Sequence, residues 1–516
     1  MSFGWIKQRG AGVFLHVSSL PSEYGIGNIG SAADGFLDFA EKAGFSYWQI
    51  CPLNPTGYGD SPYQAFSAFA GNTYFLDLGD FVGRGWLSES DLLPLKNLPR
   101  DDCDYGAIYS IVPALVAKAS RTFAASATAG EKKSFDLFRR KNAGWLGAYA
   151  LFRALKNRFG QKCWLDWDLQ FRDFERAKKN VPEDCAGDIF AAEFGQWAFF
   201  AQYGKFRAKA HAKGIEIFGD IPIFMSLDSS DVWSNPSLFE LDKNFQPKNV
   251  AGVAPDYFSA QGQLWGNPLY DWKGAKKKLF EFWRARIASA SAMFDVIRFD
   301  HFRGFADYWS IPAKAGDARK GSLKKGVGIE FFDFIKKHFP NQKFVAEDLG
   351  LLSKAAFALR DELGIPSMAV LQFAFGDTPK NPYLPHNVRR NCVFYTGTHD
   401  NNTSIGWYES ASEAAKDEAR RYFRASGEAV NWDMIHAVML SVAGIAVFPM
   451  QDILGLGAWA RTNTPGKPHG NWRWRMTDAQ LAKAVVDNAP YLRSLCELSD
   501  RLKNCVEKAS EVEEDS

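Results

Sequence analysis

Apolar and polar positions fall into two alternating rhythms along the chain. Short unbroken apolar runs, each ending in Ser, Pro, Gly or an acidic residue, start near positions 12, 46, 215, 296, 344, 367, 392 and 445. Such runs, rich in β-branched and aromatic residues, read as strands of a parallel sheet covered on both faces. Between them the apolar period lengthens to that of a helix. Ser31 caps the first helical stretch, Ala32, Phe36, Phe39, Ala40 and Ala43 share one face, and Gly44 stops it. Further helical patterns cover 274–291, 329–338, 353–363, 411–425 and 433–443. Eight strands alternating with helices predict an α/β fold, a (β/α)8 TIM barrel with helical and loop insertions whose site lies on the loops after the strands. An open doubly wound sheet fits the same rhythm.

The rhythm is interrupted inside what reads as one catalytic barrel over 1–516. Residues 54–87 form a Gly- and Pro-rich loop insertion after the second strand, carrying Asp60-Ser-Pro-Tyr-Gln64. Residues 88–214 are mainly helical, with Trp145, Tyr149, Phe152 and Leu155 on one face of a helix over 135–159 and a second helix over 189–212. A second loop insertion, 225–272, includes the polar, aromatic stretch Asp256 to Pro268, and the acidic tail 507–516 is expected to be disordered.

Composition narrows the function. With 46% hydrophobic and 23% charged residues the chain is an ordinary globular protein, and a net charge of +2 supplies no basic field for nucleic acid or an anionic membrane. Forty-three Phe, 17 Trp and 17 Tyr exceed what a core needs, and flat apolar faces edged by polar groups suit sugar rings. Seven scattered cysteines without Cys-x-x-Cys spacing point to a reducing compartment, and no apolar run reaches signal-peptide or membrane-span length, so a soluble cytoplasmic protein is expected.

In a barrel all strand ends converge on one mouth, where the sequence supplies Asp220, Asp300, Glu347 and Asp400, with Arg298, His301 and His399 beside them. Arg298 and Asp300 are two residues apart and point to the same side of an extended chain, so the cation can keep Asp300 ionised and aimed as a nucleophile. Clustered carboxylates serve divalent metal binding, acid–base isomerisation or glycosyl transfer, and a barrel that binds without chemistry is a fourth reading. Near-neutral charge, abundant aromatics and the lack of a phosphate-cradling Gly-rich loop favour the sugar.

Arg298-Phe-Asp-His-Phe-Arg-Gly-Phe305, Ala346-Glu-Asp-Leu-Gly350, Tyr395-Thr-Gly-Thr-His-Asp-Asn401 and Gly219-Asp-Ile-Pro-Ile-Phe224 resemble the motifs of amylomaltases, the 4-α-glucanotransferases of glycoside hydrolase family 77. Four longer stretches do so as well: His16–Gly30, Ser61–Gln64, Pro255–Tyr270 and Pro449–Arg475. The resemblance implies a retaining double displacement on α-1,4-glucans such as maltooligosaccharides, starch or glycogen, with no metal or cofactor, by a monomer or homodimer. It makes Asp300 the nucleophile, Glu347 the general acid/base and Asp400 the carboxylate that stabilises the transition state. Asp220, Arg298 and His399 would line the site, while Tyr63, Tyr257, Phe258 and Trp265 would touch glucan, the last three from a loop arching over the cleft. Asn463 and Trp472 would belong to a second loop at the cleft edge. Val17, Asn28, Asn402 and Thr462 depart from the family pattern at non-catalytic positions, which leaves acceptor preference and loop shape open, and simple glucan hydrolysis is the alternative activity.

Overall fold

Eight parallel strands make one sheet: β1 (Gly10–Phe14), β2 (Tyr47–Gln49), β3 (Glu216–Pro222), β4 (Val296–Asp300), β5 (Lys343–Ala346), β6 (Ser367–Val370), β7 (Cys392–Tyr395) and β8 (Ile445–Pro449). The computed structural model describes residues 2–57, 59–255, 260–350 and 353–502. The strands run in the order β6-β7-β8-β1-β2-β3-β4-β5, as in a (β/α)8 barrel, with α-helices in every connection except that from β6 to β7, which holds only the 3-10 turn Leu371–Phe373. Ile297, Phe299, Val345, Val393 and Val447 are wholly buried, the two-sided burial that unbroken apolar runs require. Between β5 and β6 no strand ladder forms. The Ala346 N–H donates to the Pro366 carbonyl (2.9 Å), and the Asp348 carboxylate accepts from the Met368 N–H (2.8 Å) and the Arg360 guanidinium (2.6 Å), so these bonds close the ring.

The first helix, Ser31–Lys42, buries Ala32, Phe36, Phe39 and Ala40, and Gly44 follows it at a φ of 75°. Ser31 is not its cap. Gly30 holds that position, and the Ser31 N–H donates to Asp77 (3.0 Å), a carboxylate brought from outside that also complements the helix N-terminus. The helix expected over 135–159 is two helices, Ala129–Lys141 and Leu146–Arg158. Asn142 makes the break, donating to the Phe138 carbonyl (2.9 Å) while accepting from the Trp145 indole (3.2 Å). The helix Ala186–Ala212 lies close to the expected span and packs on both Leu146–Arg158 and Tyr105–Ser126.

A second, antiparallel sheet was not legible in the sequence. Its strands, in order, are Gln263–Pro268, Asn249–Val253, Asp307–Pro312 and Ser322–Lys325, so the stretch 225–272 contains paired strands and a short helix, Ser230–Ser234, as well as loops. The sheet grows from the connections after β3 and β4, the strands that deliver Asp220 and Asp300. At the opposite end of the barrel, fully buried Arg501 donates to the carbonyls of Gly10 (2.9 Å), Met439 (2.9 Å), Ser441 (3.2 Å), Ala443 (2.9 Å) and Gly444 (3.2 Å), tying the segment after the helix Ala489–Leu498 to the starts of β1 and β8. Among the described residues no helix is long and apolar enough to cross a membrane.

Candidate active site

Arg298 and Asp220 face each other across the β3–β4 ladder. The guanidinium grips Asp220 in a fork, Nε to Oδ1 at 2.8 Å and Nη2 to Oδ2 at 2.7 Å, with both side chains almost completely buried. Tyr63 completes the group: its hydroxyl donates to Asp220 (2.6 Å) and accepts from Arg298 (3.1 Å). Arg298 reaches Asp300 only with a 3.3 Å contact. The main partner of Arg298 is therefore Asp220 rather than Asp300. A residue directly opposite on the neighbouring strand lies nearer than one two places along the same strand, about 5 Å against 7 Å.

Asp300 ends β4 with 29% of its side chain open to the cleft. Burial pushes its carboxyl up to about 6; Arg298 opposes that rise, and the negative charges of Asp220 and Asp400 add to it. Glu347 follows β5 directly and is pushed further, to about 8, first by burial and then by the negative charge of Asp300. No ion pair holds it among the described residues. Both of its oxygens accept from backbone, Oε2 from the His301 N–H (2.8 Å) and Oε1 from the Leu349 N–H (3.1 Å). His301 can aim its amide there because it sits in the left-handed region, at a φ of 52°. Burial, then Arg303, holds the His301 imidazole down at about 4, and its ring meets the Trp265 indole edge to face at 4.8 Å.

Asp400 shows the opposite balance. Burial acts against its ionisation, but the His399 ring, the Asn463 amide and the more distant Arg298 outweigh it and pull the carboxyl down to about 2. Asn463 Nδ2 donates to Oδ1 at 2.6 Å, and His399 Nε2 lies 3.3 Å from Oδ2. His399 is itself stacked on Tyr63, with ring centroids 5.1 Å apart, and tilted against Trp472 at 5.6 Å. Arg461 donates to the Asp400 carbonyl and to the Asn463 carbonyl (2.7 Å), fixing the second loop to the strand-end turn.

The structure thus brings together Tyr63, Asp220, Arg298, Asp300, Glu347, His399, Asp400 and Asn463, and sets Trp265 against His301 at the edge. Tyr257 and Phe258 lie outside the described residues. Sequence reasoning missed Arg461, although it stands two residues before Asn463, and missed the backbone donors to Glu347, which no side-chain pattern can announce. Among the described residues no three His, Cys, Asp or Glu side chains converge as a set for a metal ion.

The 4-alpha-glucanotransferase family model matches residues 15–481. The chain belongs to that family. It is 44% identical over 503 residues to the 4-alpha-glucanotransferase of Thermus thermophilus, covering 96% of this chain and 99% of that one. With the Clostridium butyricum enzyme of the same name it shares 43% over 471 residues, covering 90% and 96%. Among solved structures of the family, the amylomaltase of Streptococcus agalactiae in complex with acarbose superimposes with a TM-score of 0.91 at 35% identity, over 96% of this chain and 100% of that one. The Corynebacterium glutamicum amylomaltase shares the fold at a TM-score of 0.78, covering 96% of this chain and 75% of that one, though at 15% identity.

Proposed function

We propose that this 4-α-glucanotransferase moves a segment of an α-1,4-glucan to the 4-hydroxyl of another glucan, or of glucose, by a retaining double displacement through a glycosyl ester on Asp300. The observation that carries this reading is the split between two neighbouring carboxyls, Asp300 pushed to about 6 beside Arg298 and Glu347 pushed to about 8 without a cation of its own. Near neutral pH Asp300 is ionised while Glu347 keeps its proton, the division of labour a retaining mechanism needs.

In the first step an Asp300 oxygen attacks the anomeric carbon and Glu347 gives its proton to the glycosidic oxygen. The carbon–oxygen bond breaks, and the reducing-end fragment leaves with a free 4-hydroxyl. In the second step the acceptor 4-hydroxyl passes its proton to Glu347 and its oxygen displaces Asp300, restoring both carboxyls. Asp400, held ionised by Asn463 and His399, stabilises the positive charge that develops on the sugar ring in each transition state. Tyr63, Asp220 and Arg298 form the wall that aims Asp300. The solved relative in complex with acarbose supports a glucan occupant of the cleft, and Trp265, with the sequence-proposed Tyr257 and Phe258, supplies apolar faces for acceptor rings.

Maltotriose tests the reading. It should be converted to glucose and longer oligosaccharides in balance, with the new linkages in the α configuration by NMR. Glucose and maltose alone would indicate hydrolysis, and β-configured products would rule out the double displacement.

A further inference from the structure

A single buried helical turn, Met450–Ile453, follows β8. Among the described residues, the side chains of Gln451 and Asp452 in this turn bond to the two loops that build the Asp400 pocket and to nothing else. With only 3% and 1% of their surfaces exposed, the two residues lie too deep to meet a sugar in the cleft. Whatever they do for the reaction, they do through other residues.

Asp452 closes the turn that carries Asp400. Its Oδ2 accepts from the Thr396 hydroxyl (2.6 Å), just after β7, and from the Ser404 hydroxyl (2.7 Å), while Oδ1 accepts from the Ser404 N–H (2.7 Å) at the far end of the turn. His399 and Asp400 lie between these two anchors. An ionised carboxylate only accepts, so it takes all three donors at once; an amide of the same shape offers one acceptor oxygen and sets its own N–H groups against a donor. The groups that hold Asp452 are neutral, and burial pushes its carboxyl above the ordinary range despite them, so ionising it costs stability in the folded protein. Scaffold strength alone does not account for such a residue.

Gln451 fixes the other loop. Its Nε2 donates to the Ala460 carbonyl (3.2 Å) and to the Thr462 hydroxyl (2.9 Å). The amide cannot turn over without setting its oxygen against the Ala460 carbonyl, so its orientation is fixed. Thr462 immediately precedes Asn463, whose N–H donates to the His399 carbonyl (3.0 Å) and whose side chain gives Asp400 the 2.6 Å bond. Asp400 is therefore reached from one dipeptide by two routes: through Thr396 and Ser404 to its own turn, and through Thr462 to the amide that holds it.

We infer that Gln451 and Asp452 are positioning residues for the carboxylate that stabilises the transition state: they hold the Asp400 turn and the Asn463 segment in register, so that the bond between them survives the entry and departure of glucan chains. The inference rests on the role proposed above for Asp400. A charged group stabilises a transition state fully only when it is fixed beforehand, because reorienting it during the reaction consumes the stabilisation it supplies. The two residues therefore act on kcat more than on KM, and Gln451 acts through Asn463.

The experiment uses the full-length enzyme and steady-state kinetics on maltotriose. Gln451→Met keeps the length of the side chain and removes its N–H donors, and Thr462→Val removes the hydroxyl at the other end of the bond. Each should lower kcat roughly three- to fivefold, with KM within about twofold of the parent. Added to Asn463→Ala, Gln451→Met should cost no more than about 1.5-fold further, because the segment then carries no donor to position. Asp452→Asn should lower kcat about 30-fold with the same small change in KM. Thr396→Val, which removes one donor and leaves the carboxylate, should lower it about threefold, and decides the point if Asp452→Asn does not fold. Additive losses from Gln451→Met and Asn463→Ala, losses confined to KM, or a lower melting temperature with kcat unchanged would make these residues scaffold and overturn the inference. A parent enzyme that fails to rearrange maltotriose would overturn the proposed function instead.

Discussion

Arg298 holds Asp220 with two hydrogen bonds, at 2.8 and 2.7 Å, and spares Asp300 a single 3.3 Å contact. The cation beside the proposed nucleophile is thus already committed, which explains why burial can push the Asp300 carboxyl up to about 6 despite a neighbouring guanidinium. Asp220→Asn should undo this balance. It removes one negative charge and loosens Arg298 toward Asp300, and both changes lower the Asp300 pKa. The acidic limb of the kcat/KM profile should move below pH 6, while misaligned Asp300 and Tyr63 reduce kcat/KM about 10- to 100-fold. Maltotriose disproportionation followed from pH 4 to 9 measures both effects.

The wild-type profile should be bell-shaped. Activity requires Asp300 ionised and Glu347 protonated, so kcat/KM rises as pH passes about 6 and falls as it passes about 8. Glu347→Gln should remove the alkaline limb and slow natural glucans severely, yet spare the first step on donors with acidic leaving groups. An alkaline limb that persists in this variant would assign it to another group.

Asp300→Asn should lower turnover about ten-thousandfold or more, since an amide cannot form the glycosyl ester. Stability should not suffer. A carboxyl pushed up in the folded protein costs stability as pH rises from the ordinary carboxylate range to about 6, and the amide removes that cost. Calorimetry at pH 7 should find a melting temperature equal to or above that of the parent.

Asn463→Ala removes the 2.6 Å donor to Asp400 while leaving His399 in place. The carboxyl should stay ionised at neutral pH but lose its orientation, reducing kcat about tenfold with little change in KM. Steady-state kinetics on maltotriose separates the two constants; a change confined to KM would make Asn463 a ground-state contact.

Much of this arrangement is legible in the amino-acid sequence. The barrel strands are buried on both faces, so Cys392 to Tyr395 or Ile445 to Phe448 appear as apolar runs whose ends must lie at one mouth. The antiparallel sheet was hidden because its strands carry Gly252 and Gly266, end in Pro268 and Pro312, and in Ser322–Lys325 expose every residue, leaving no alternation to read. The capping of the first helix by Asp77 and the fork from Arg298 to Asp220 are long-range choices that local spacing cannot reveal. Burial, followed by Arg298 on the same strand for Asp300 and by Asp300 on the neighbouring strand for Glu347, decided the electrostatics.

Arg501 offers a test of the scaffold far from the chemistry. Replacing it by Ala removes a buried donor from five backbone carbonyls near the starts of β1 and β8, of which Met439 and Ser441 keep Arg9 and Gly444 keeps the Gly10 N–H, and should destabilise the protein by about 3 kcal/mol. A lower urea midpoint with kcat unchanged at 25 °C is the expected outcome.

The acid/base carboxyl is held by main-chain amides of His301 and Leu349, and amides are common to every residue except proline. The side chains at these two positions are thereby freed from tuning Glu347. Position 349, whose side chain packs against the core, can be varied among apolar residues, and position 301 among residues that accept a positive φ, such as Asn, Asp or Gly, without rewriting the proton chemistry. Proline is the substitution that both positions forbid. The proton position of Glu347 is thereby tied to the path of the backbone and not to the identity of the two side chains.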